Sequence, residues 1–400
     1  MKIASLETFS VDGGMYRYHF LKLTTDDGLT GWSEFNDPGP GYGALGALIR
    51  AMSHRVMGQD PRNPRRLVTD LNAAARISSG GLYVHAVAAI ENACLDIAAR
   101  ALGVPVYQML GGALRTELPL YWSHCGWYRV RPKFCEATGL PRVRSLDDVE
   151  ALGAEVRARG FRALKTNLLR FHDDVGTGHY PGIAPVGAGP ALNASPDLLQ
   201  DTVELMAAFR RGAGDDVDLM IDANFNFRSD GFVRLARALE PFGMRWLECD
   251  LPDAPSLAAL RRATSTPIGS LETVLTGRDF APFMEARAVD VAIIDVMWCG
   301  LLESMAMADL AASYETSVAT HGYTGPLATA MCAHFAALIP NLSVMEYDVD
   351  GHPTRDSLVK TLPRIEGGFY HLPDGPGWGV EVDEAAIARH LIPHFEQSLR

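Results

Sequence analysis

Three acids, one imidazole and one ammonium group fall in this sequence where they could together remove a proton from carbon. The apolar run Leu219-Met220-Ile221 ends in Asp222, Met244-Arg245-Trp246-Leu247 ends in Glu248, and Thr266-Pro267-Ile268-Gly269-Ser270-Leu271 ends in Glu272. Taken singly, each acid is accounted for by a helix cap or a turn. At the ends of three successive buried runs they would repel one another strongly unless a cation holds them. All-oxygen ligation suits Mg²⁺, one per subunit, with positions left open for substrate and water. Asn224, two residues after Asp222, is expected on the same strand face by alternation.

The same pattern supplies the other groups. Val291-Ala292-Ile293-Ile294 leads to Asp295, and Val318-Ala319-Thr320 leads to His321. A carboxylate beside an imidazole fixes its tautomer and raises its basicity, as a general base requires. The plain alternative is a satisfied histidine at a barrel mouth. Phe161-Arg162-Ala163-Leu164 leads to Lys165, with Asn167 facing the same way. Lys165 is either a counter-ion to the acids or the holder of a substrate carboxylate. Glu346 follows Leu342-Ser343-Val344-Met345. Kept protonated near a bound carboxylate, it can donate a hydrogen bond to a developing enolate. The set is suited to removing a proton next to a carboxylate, with His321 as base and Mg²⁺, Lys165 and Glu346 stabilising the enediolate. His334, on an apolar helix, reads as a core residue.

An apolar run, one ionisable residue and then a helical segment, repeated, is what a parallel α/β barrel writes when its site lies at the strands' C-terminal ends. Eight such runs are expected, at residues 120–124, 163–168, 219–222, 245–248, 267–271, 291–296, 318–321 and 343–347. Before them, Tyr18 to Thr25 and Leu29 to Glu34 form a hairpin about Asp26-Asp27-Gly28. A long helix spans residues 84–102, and the boundary between the two parts falls near Leu114 to Pro119. Two early loops, 12–16 and 36–42, are either connectors or lids. The Gly-, Pro- and Ala-rich stretch 172–195 is either disordered or a functional cover.

The totals agree with such an enzyme. With 400 residues, 48% hydrophobic and 21% charged, the chain can bury a large core. A net charge of -12 argues against nucleic acid as a partner, but not against an acidic small molecule, since a buried cation reverses the local field. No segment is expected to cross a membrane. Six scattered cysteines and an acid at Glu7 suggest reduced thiols in a cytoplasmic protein.

The ordered set Lys165, Asp222, Glu248, Glu272, Asp295, His321 and Glu346 resembles the enolase superfamily, in its mandelate racemase-like branch. The resemblance extends over nearly the whole chain, through Ala89-Ile90-Glu91-Asn92-Ala93-Cys94-Leu95-Asp96-Ile97, residues 102–112 and Asp374-Gly375-Pro376-Gly377-Trp378-Gly379. It implies an α/β fold, a modified TIM barrel (β/α)7β, beneath an α+β N-terminal capping domain. The parts would be a cap over 1–117, a barrel over 118–350 and a C-terminal segment, 351–400, returning to the cap. It further implies Mg²⁺, a small-molecule carboxylate substrate, a homo-oligomer of two to eight subunits, and early loops that shape the pocket.

The sequence departs from that family in places. Branch members with bases on both faces carry lysine where this chain has Asn167, which weighs against a two-base racemase. Trp298-Cys299-Gly300-Leu301 has one glycine where two are usual, so Asp295 and His321 are one residue closer; their pairing is expected to survive, because the deletion falls in a loop. With one usable base, the economical reaction is dehydration of an acid sugar by syn elimination, His321 acting as base and then as acid. Racemisation, epimerisation or cycloisomerisation on the same scaffold is the alternative, and a silent binding protein a third reading. Asn167, Asn224, Tyr16 and Asn36 would bind substrate hydroxyls, and Trp378, replacing a customary leucine, would alter the pocket.

Overall fold

In this computed structural model, residues 1–14, 16–37, 43–75, 80–181 and 193–393 are described. Strands β1 (Ile3–Asp12), β2 (Arg17–Thr25) and β3 (Thr30–Phe35) form an antiparallel sheet. The helix Leu82–Leu102 packs across it, contributing to the same buried cluster as Leu21, Leu23 and Phe35. That helix is long and apolar enough to cross a membrane by length and composition, contrary to the sequence expectation, but 83% of its most apolar stretch is buried within the protein. It is a core helix, and it buries Glu91 and Asp96 along with its alanines.

Beyond the cap come β4 (Glu117–Trp122) and β5 (Ala163–Asn167), a short hairpin of β6 (Leu169–His172) and β7 (Val175–Gly178), and then β8 (Asp218–Asp222), β9 (Trp246–Glu248), β10 (Ile268–Ser270), β11 (Val291–Asp295), β12 (Ser317–His321) and β13 (Leu342–Tyr347). Eight of these, β4, β5 and β8 to β13, pair in parallel and in chain order, and β13 pairs back onto β4 to close a barrel. Each expected barrel run is one of these strands. The hairpin was not expected. It occupies the start of the stretch read as an irregular loop, while residues 182–192 of that stretch, like 38–42 of the second early loop, lie outside the described residues.

Inside the barrel, Tyr121, Ala163, Met220, Trp246, Val291, Ile293, Ala319 and Val344 form their own cluster. These are inward-facing residues of successive strands, stacked into a solid floor. A second, larger cluster lies between the strands and the surrounding helices. The last described strand, Leu391–Ile392, pairs with β1 and so joins the cap sheet.

The cap is fastened to the barrel by carboxylates that receive main-chain N–H groups. Helix Leu301–Ser313 begins at Gly300 and helix Pro326–Leu338 at Gly325, and neither glycine offers a capping side chain. The cap supplies one. Glu91 Oε1 accepts from Leu302 N (2.9 Å), and Asn92 Oδ1 from Leu301 N (3.2 Å). Glu34 accepts from Gly325 N (2.6 Å) and Ala328 N (3.0 Å). Glycine makes room for both carboxylates: a Cβ would lie 2.7 Å from Glu91 Oε1 at residue 300, where φ is also +84°, and 2.5 Å from Glu34 Oε2 at residue 325, so either acid would have to leave its place on the helix end. The acids sit at helix N-termini, where negative charge is favoured.

Burial outweighs that help, pushing both Glu34 and Glu91 up to about 7. A carboxyl raised on folding binds more protons in the native state, so its favourable contribution is complete below about pH 4.5 and is lost as the pH rises toward 7. Glu91→Gln, which cannot ionise, should therefore gain stability relative to the wild type across that window, by roughly 3 kcal/mol in total. Urea unfolding midpoints from pH 4 to 8 would show it; parallel pH profiles would refute it.

Candidate active site

Because alternate residues of a barrel strand face inward, each strand end delivers a side chain into the mouth. Lys165 and Asn167 come from β5, Asp222 from β8, Glu248 from β9, Asp295 from β11, His321 from β12 and Glu346 from β13. All are buried. Glu272 arrives differently. Gly269, paired with inward-facing Glu248 and Val291, faces the interior, so plain alternation would turn Leu271 inward and Glu272 away. Instead Leu271 has φ 94° and packs in the outer core, and this break aims Glu272 into the cavity.

The cavity of about 370 Å³ is lined by Lys165, Asn167, Asp222, Asn224, Glu272, His321 and Glu346 from the barrel and by Tyr16 from the cap. His321 Nδ1 lies 2.6 Å from Asp295 Oδ2, whose other oxygen accepts from Met297 N and Trp298 N. The expected pairing is thus present despite the missing glycine. The bond to Asp295 places the proton on Nδ1 and turns Nε2 to the cavity, where Glu272 Oε2 lies 3.2 Å away. Burial opposes charge on this imidazole, but Glu272 and Asp295 prevail and raise it to about 10.

Lys165 Nζ contacts Glu248 Oε1 at 2.9 Å and Glu346 Oε1 at 3.1 Å. Burial works against the ammonium, yet the two carboxylates hold it well above the ordinary lysine range. One ammonium cannot neutralise two acids. Glu346, although buried, is held well below the usual carboxylate range by Lys165 and His321. It also accepts from Ser123 Oγ (2.5 Å) and Gly322 N (2.6 Å). The expectation of a protonated, donating Glu346 is therefore corrected: these neighbours all favour the anion, so it accepts. Glu248, Asp222 and Glu272 are shifted the other way, upward, by burial first and then by neighbouring carboxylates: Asp250 acts on Asp222, Asp222 and Glu346 act on Glu248, and Asp250, Glu248 and Asp222 act on Glu272.

Other expected residues fall as follows. Asn224 does meet Asp222, but through a turn rather than strand alternation: at φ 44° its N and Nδ2 donate to the two carboxylate oxygens at 2.7 and 2.8 Å. Asn36 donates to Tyr323 Oη (2.9 Å), tying the cap loop to the residue two beyond His321. Trp378 does not reach the pocket. It is fully buried between cap and barrel, its Nε1 donating to Trp32 O and its ring edge-on to His334. The wide indole that departs from the family pattern fills a joint, not a substrate site. His334 is in the core, as expected.

Tyr323, just after His321 where the chain departs from the family pattern, lines the cavity, and so do His124, Trp298, Trp127, Arg131 and Tyr180, none of them among the residues expected at the site. His124 ends an expected strand in an ionisable residue, the very signal used for the others. It is held by Tyr128 Oη (3.2 Å), which also donates to Asp348 (2.6 Å) and receives Tyr16 Oη (3.2 Å).

The family profile described as enolase C-terminal domain-like matches residues 148–386, and that of the mandelate racemase/muconate lactonizing enzyme N-terminal domain matches residues 10–111. The chain belongs to the mandelate racemase/muconate lactonizing enzyme family. The family's members include a D-xylonate dehydratase of Haloferax volcanii, 29% identical over 98% of this chain and 89% of its own. A D-galactonate dehydratase of Ralstonia nicotianae is 28% identical over 97% and 94%. Among solved structures, a putative L-alanine-DL-glutamate epimerase of Burkholderia xenovorans, bound to magnesium and fumarate, is 39% identical with a TM-score of 0.92, over 97% of this chain and 96% of that one.

The side chains of this family member fit a divalent cation by their chemistry. Asp222, Glu248 and Glu272 are adjacent, all-oxygen and buried, and Asp222 has no cationic side chain within ion-pair range among the described residues. They do not form a ready-made three-ligand cluster, since Glu248 is turned to Lys165 and Glu272 to His321. Removing the ammonium exposes the charge imbalance. Lys165→Met in chelator-treated protein should lower unfolding stability by about 3–5 kcal/mol, and adding Glu346→Gln should recover part of the loss. Denaturant titrations of the double-mutant cycle measure this; additive effects would contradict the shared ammonium.

Proposed function

We propose that this enzyme dehydrates a sugar acid, an aldonate or aldarate, to a 2-keto-3-deoxy acid. The observation that carries the reading is His321, held from behind by Asp295, sharing one cavity with Lys165 and the carboxylates of Asp222, Glu272 and Glu346, with Glu248 bound to Lys165 beside it. Relatives named as sugar-acid dehydratases, aligned over nearly the full chain, support it. Asp222, Glu248 and Glu272 would hold Mg²⁺, which when bound supplies Lewis-acid charge at the substrate carboxylate; the 39% identical structure carrying magnesium supports that choice.

Lys165, anchored on Glu248 and Glu346, adds positive charge beside the substrate carboxylate. Glu272 is the main group that holds His321 protonated. Once Glu272 turns away, Nε2 gives its proton to solvent, and the neutral ring then takes the proton from the α-carbon, with Asp295 stabilising the imidazolium so formed. The same nitrogen then returns that proton to the β-hydroxyl on the same face. The C–O bond breaks, water leaves, the C–H electron pair becomes the double bond, and the enol tautomerises to the ketone. Asn167, Asn224, Tyr16 and Asn36 bind hydroxyls along the chain.

The test is a panel of aldonates and aldarates with Mg²⁺, read by 2-keto acid formation. His321→Ala should lower kcat by about 10³-fold or more while circular dichroism stays unchanged; turnover at a comparable rate would remove His321 as the base. Dialysis against a chelator should abolish activity, and Mg²⁺ should restore it. A second reading, epimerisation, draws on His124, a second imidazole lining the same cavity. Solvent deuterium entering the α-carbon of recovered substrate without loss of water would favour it over dehydration.

A further inference from the structure

The loop after β4 carries two arginines with opposite fates. Arg129 is buried and saturated, bonding Asp350 through two nitrogens at 2.9 Å and Glu155 at 2.6 and 3.0 Å. Arg131 is half-buried and lines the active-site cavity. Among the described residues its guanidinium has no carboxylate partner and makes no hydrogen bond; it lies over the Trp127 ring at 5.2 Å. Trp127 is in turn braced edge-on by Tyr180 at 5.3 Å. The fork is thus held in place with its donors unspent, in a chain whose net charge is -12.

Its position separates it from the reacting end. Arg131 also lines an outer chamber of about 800 Å³, together with Trp127, Tyr180, Lys133 and His352, and none of the strand-end residues reaches that chamber. At the floor, Lys165 is occupied by Glu248 and Glu346 and serves the carboxylate beside the α-carbon. The cavity therefore offers positive charge at two places, one at the strand ends and one at its outer edge. A ligand with a neutral far end would leave five guanidinium donors to water, whereas a carboxylate matches the planar fork through two parallel bonds.

We propose that Arg131 recognises a second carboxylate at the far end of the substrate, so that the preferred substrate is a sugar diacid rather than a monoacid. This rests on the dehydratase reading above and narrows it. The experiment compares, in the Mg²⁺-loaded enzyme, matched sets of aldonates, aldarates of the same length and configuration, and aldonates phosphorylated at the distal hydroxyl. The best aldarate should exceed its aldonate in kcat/KM by roughly 30–100-fold. Arg131→Gln should collapse that ratio toward one, chiefly through KM, and Arg131→Lys should restore only part of it.

Equal use of aldonate and aldarate, or a ratio untouched by Arg131→Gln, overturns the proposal. Preference for the phosphorylated acid overturns the choice of carboxylate. If no acid yields a 2-keto acid, the dehydratase reading fails, and thermal shift decides the role of Arg131 separately. A Tm rise with aldarate that exceeds the rise with aldonate, and that is lost in Arg131→Gln, supports it; the absence of that difference overturns it.

Discussion

Too much negative charge is confined in too little water at the mouth of this barrel, and the surrounding structure is built around that fact. Asp222, Glu248, Glu272, Asp295 and Glu346 are all buried there, with Lys165 and His321 the cationic groups buried among them. Each buried carboxylate without full compensation is costly, and the arrangement distributes what compensation there is unevenly. Asp295 is met by His321 and two main-chain N–H groups, and Glu346 by Lys165, a hydroxyl and another N–H. The acids on β8 and β9 and the one after β10 remain under-neutralised. The deficit is concentrated on these three neighbours, whereas the satisfied acids lie beside His321 and Lys165.

Holding such groups in place takes backbone conformations that side chains seldom adopt. Leu271, Asn224 and His124 all have positive φ, at 94°, 44° and 49°, and all lie within two residues of a strand end at the mouth. Each such residue stores on the order of 1–3 kcal/mol. The packed floor of Tyr121, Trp246 and their neighbours, immediately beneath, is what can hold them there. Rigidity below and strain above are two sides of one device for aiming short polar side chains.

Much of this was legible in the residues themselves. A parallel barrel strand is buried on both faces, so it reads as a continuous apolar run, and the first ionisable residue after it marks the mouth. That single signal locates Lys165, Asp222, Glu248, Glu272, Asp295, His321 and Glu346. It fails where the geometry is not periodic. Asn224 reaches Asp222 through a turn, and the β6–β7 hairpin, whose second strand is Val-Gly-Thr-Gly, carries no apolar run to announce it. Trp378 illustrates a different gap: its departure from the family pattern is visible in the chain, but whether an indole faces solvent, substrate or core depends on neighbours hundreds of residues away. The protonation of Glu346 is of the same kind, set by Lys165, Ser123 and Gly322 together. Helix Leu82–Leu102 shows the converse, since an apolar segment of that length looks the same in a bilayer and in a protein core.

The two glycine-started barrel helices carry a consequence for the order in which the molecule assembles. Helices Leu301–Ser313 and Pro326–Leu338 lack N-terminal caps of their own and borrow them from Glu91 and Glu34. A barrel formed without its N-terminal partner would have frayed ends at just these helices, and the second of them follows directly on the strand that carries His321. On a ribosome the accepting carboxylates, Glu34 and Glu91, emerge some two hundred residues or more ahead of the N–H groups that donate to them. The early part of the chain is thus a template awaiting the late part, and the setting of the His321 strand's end is coupled to a docking event that the linear order of synthesis has already prepared.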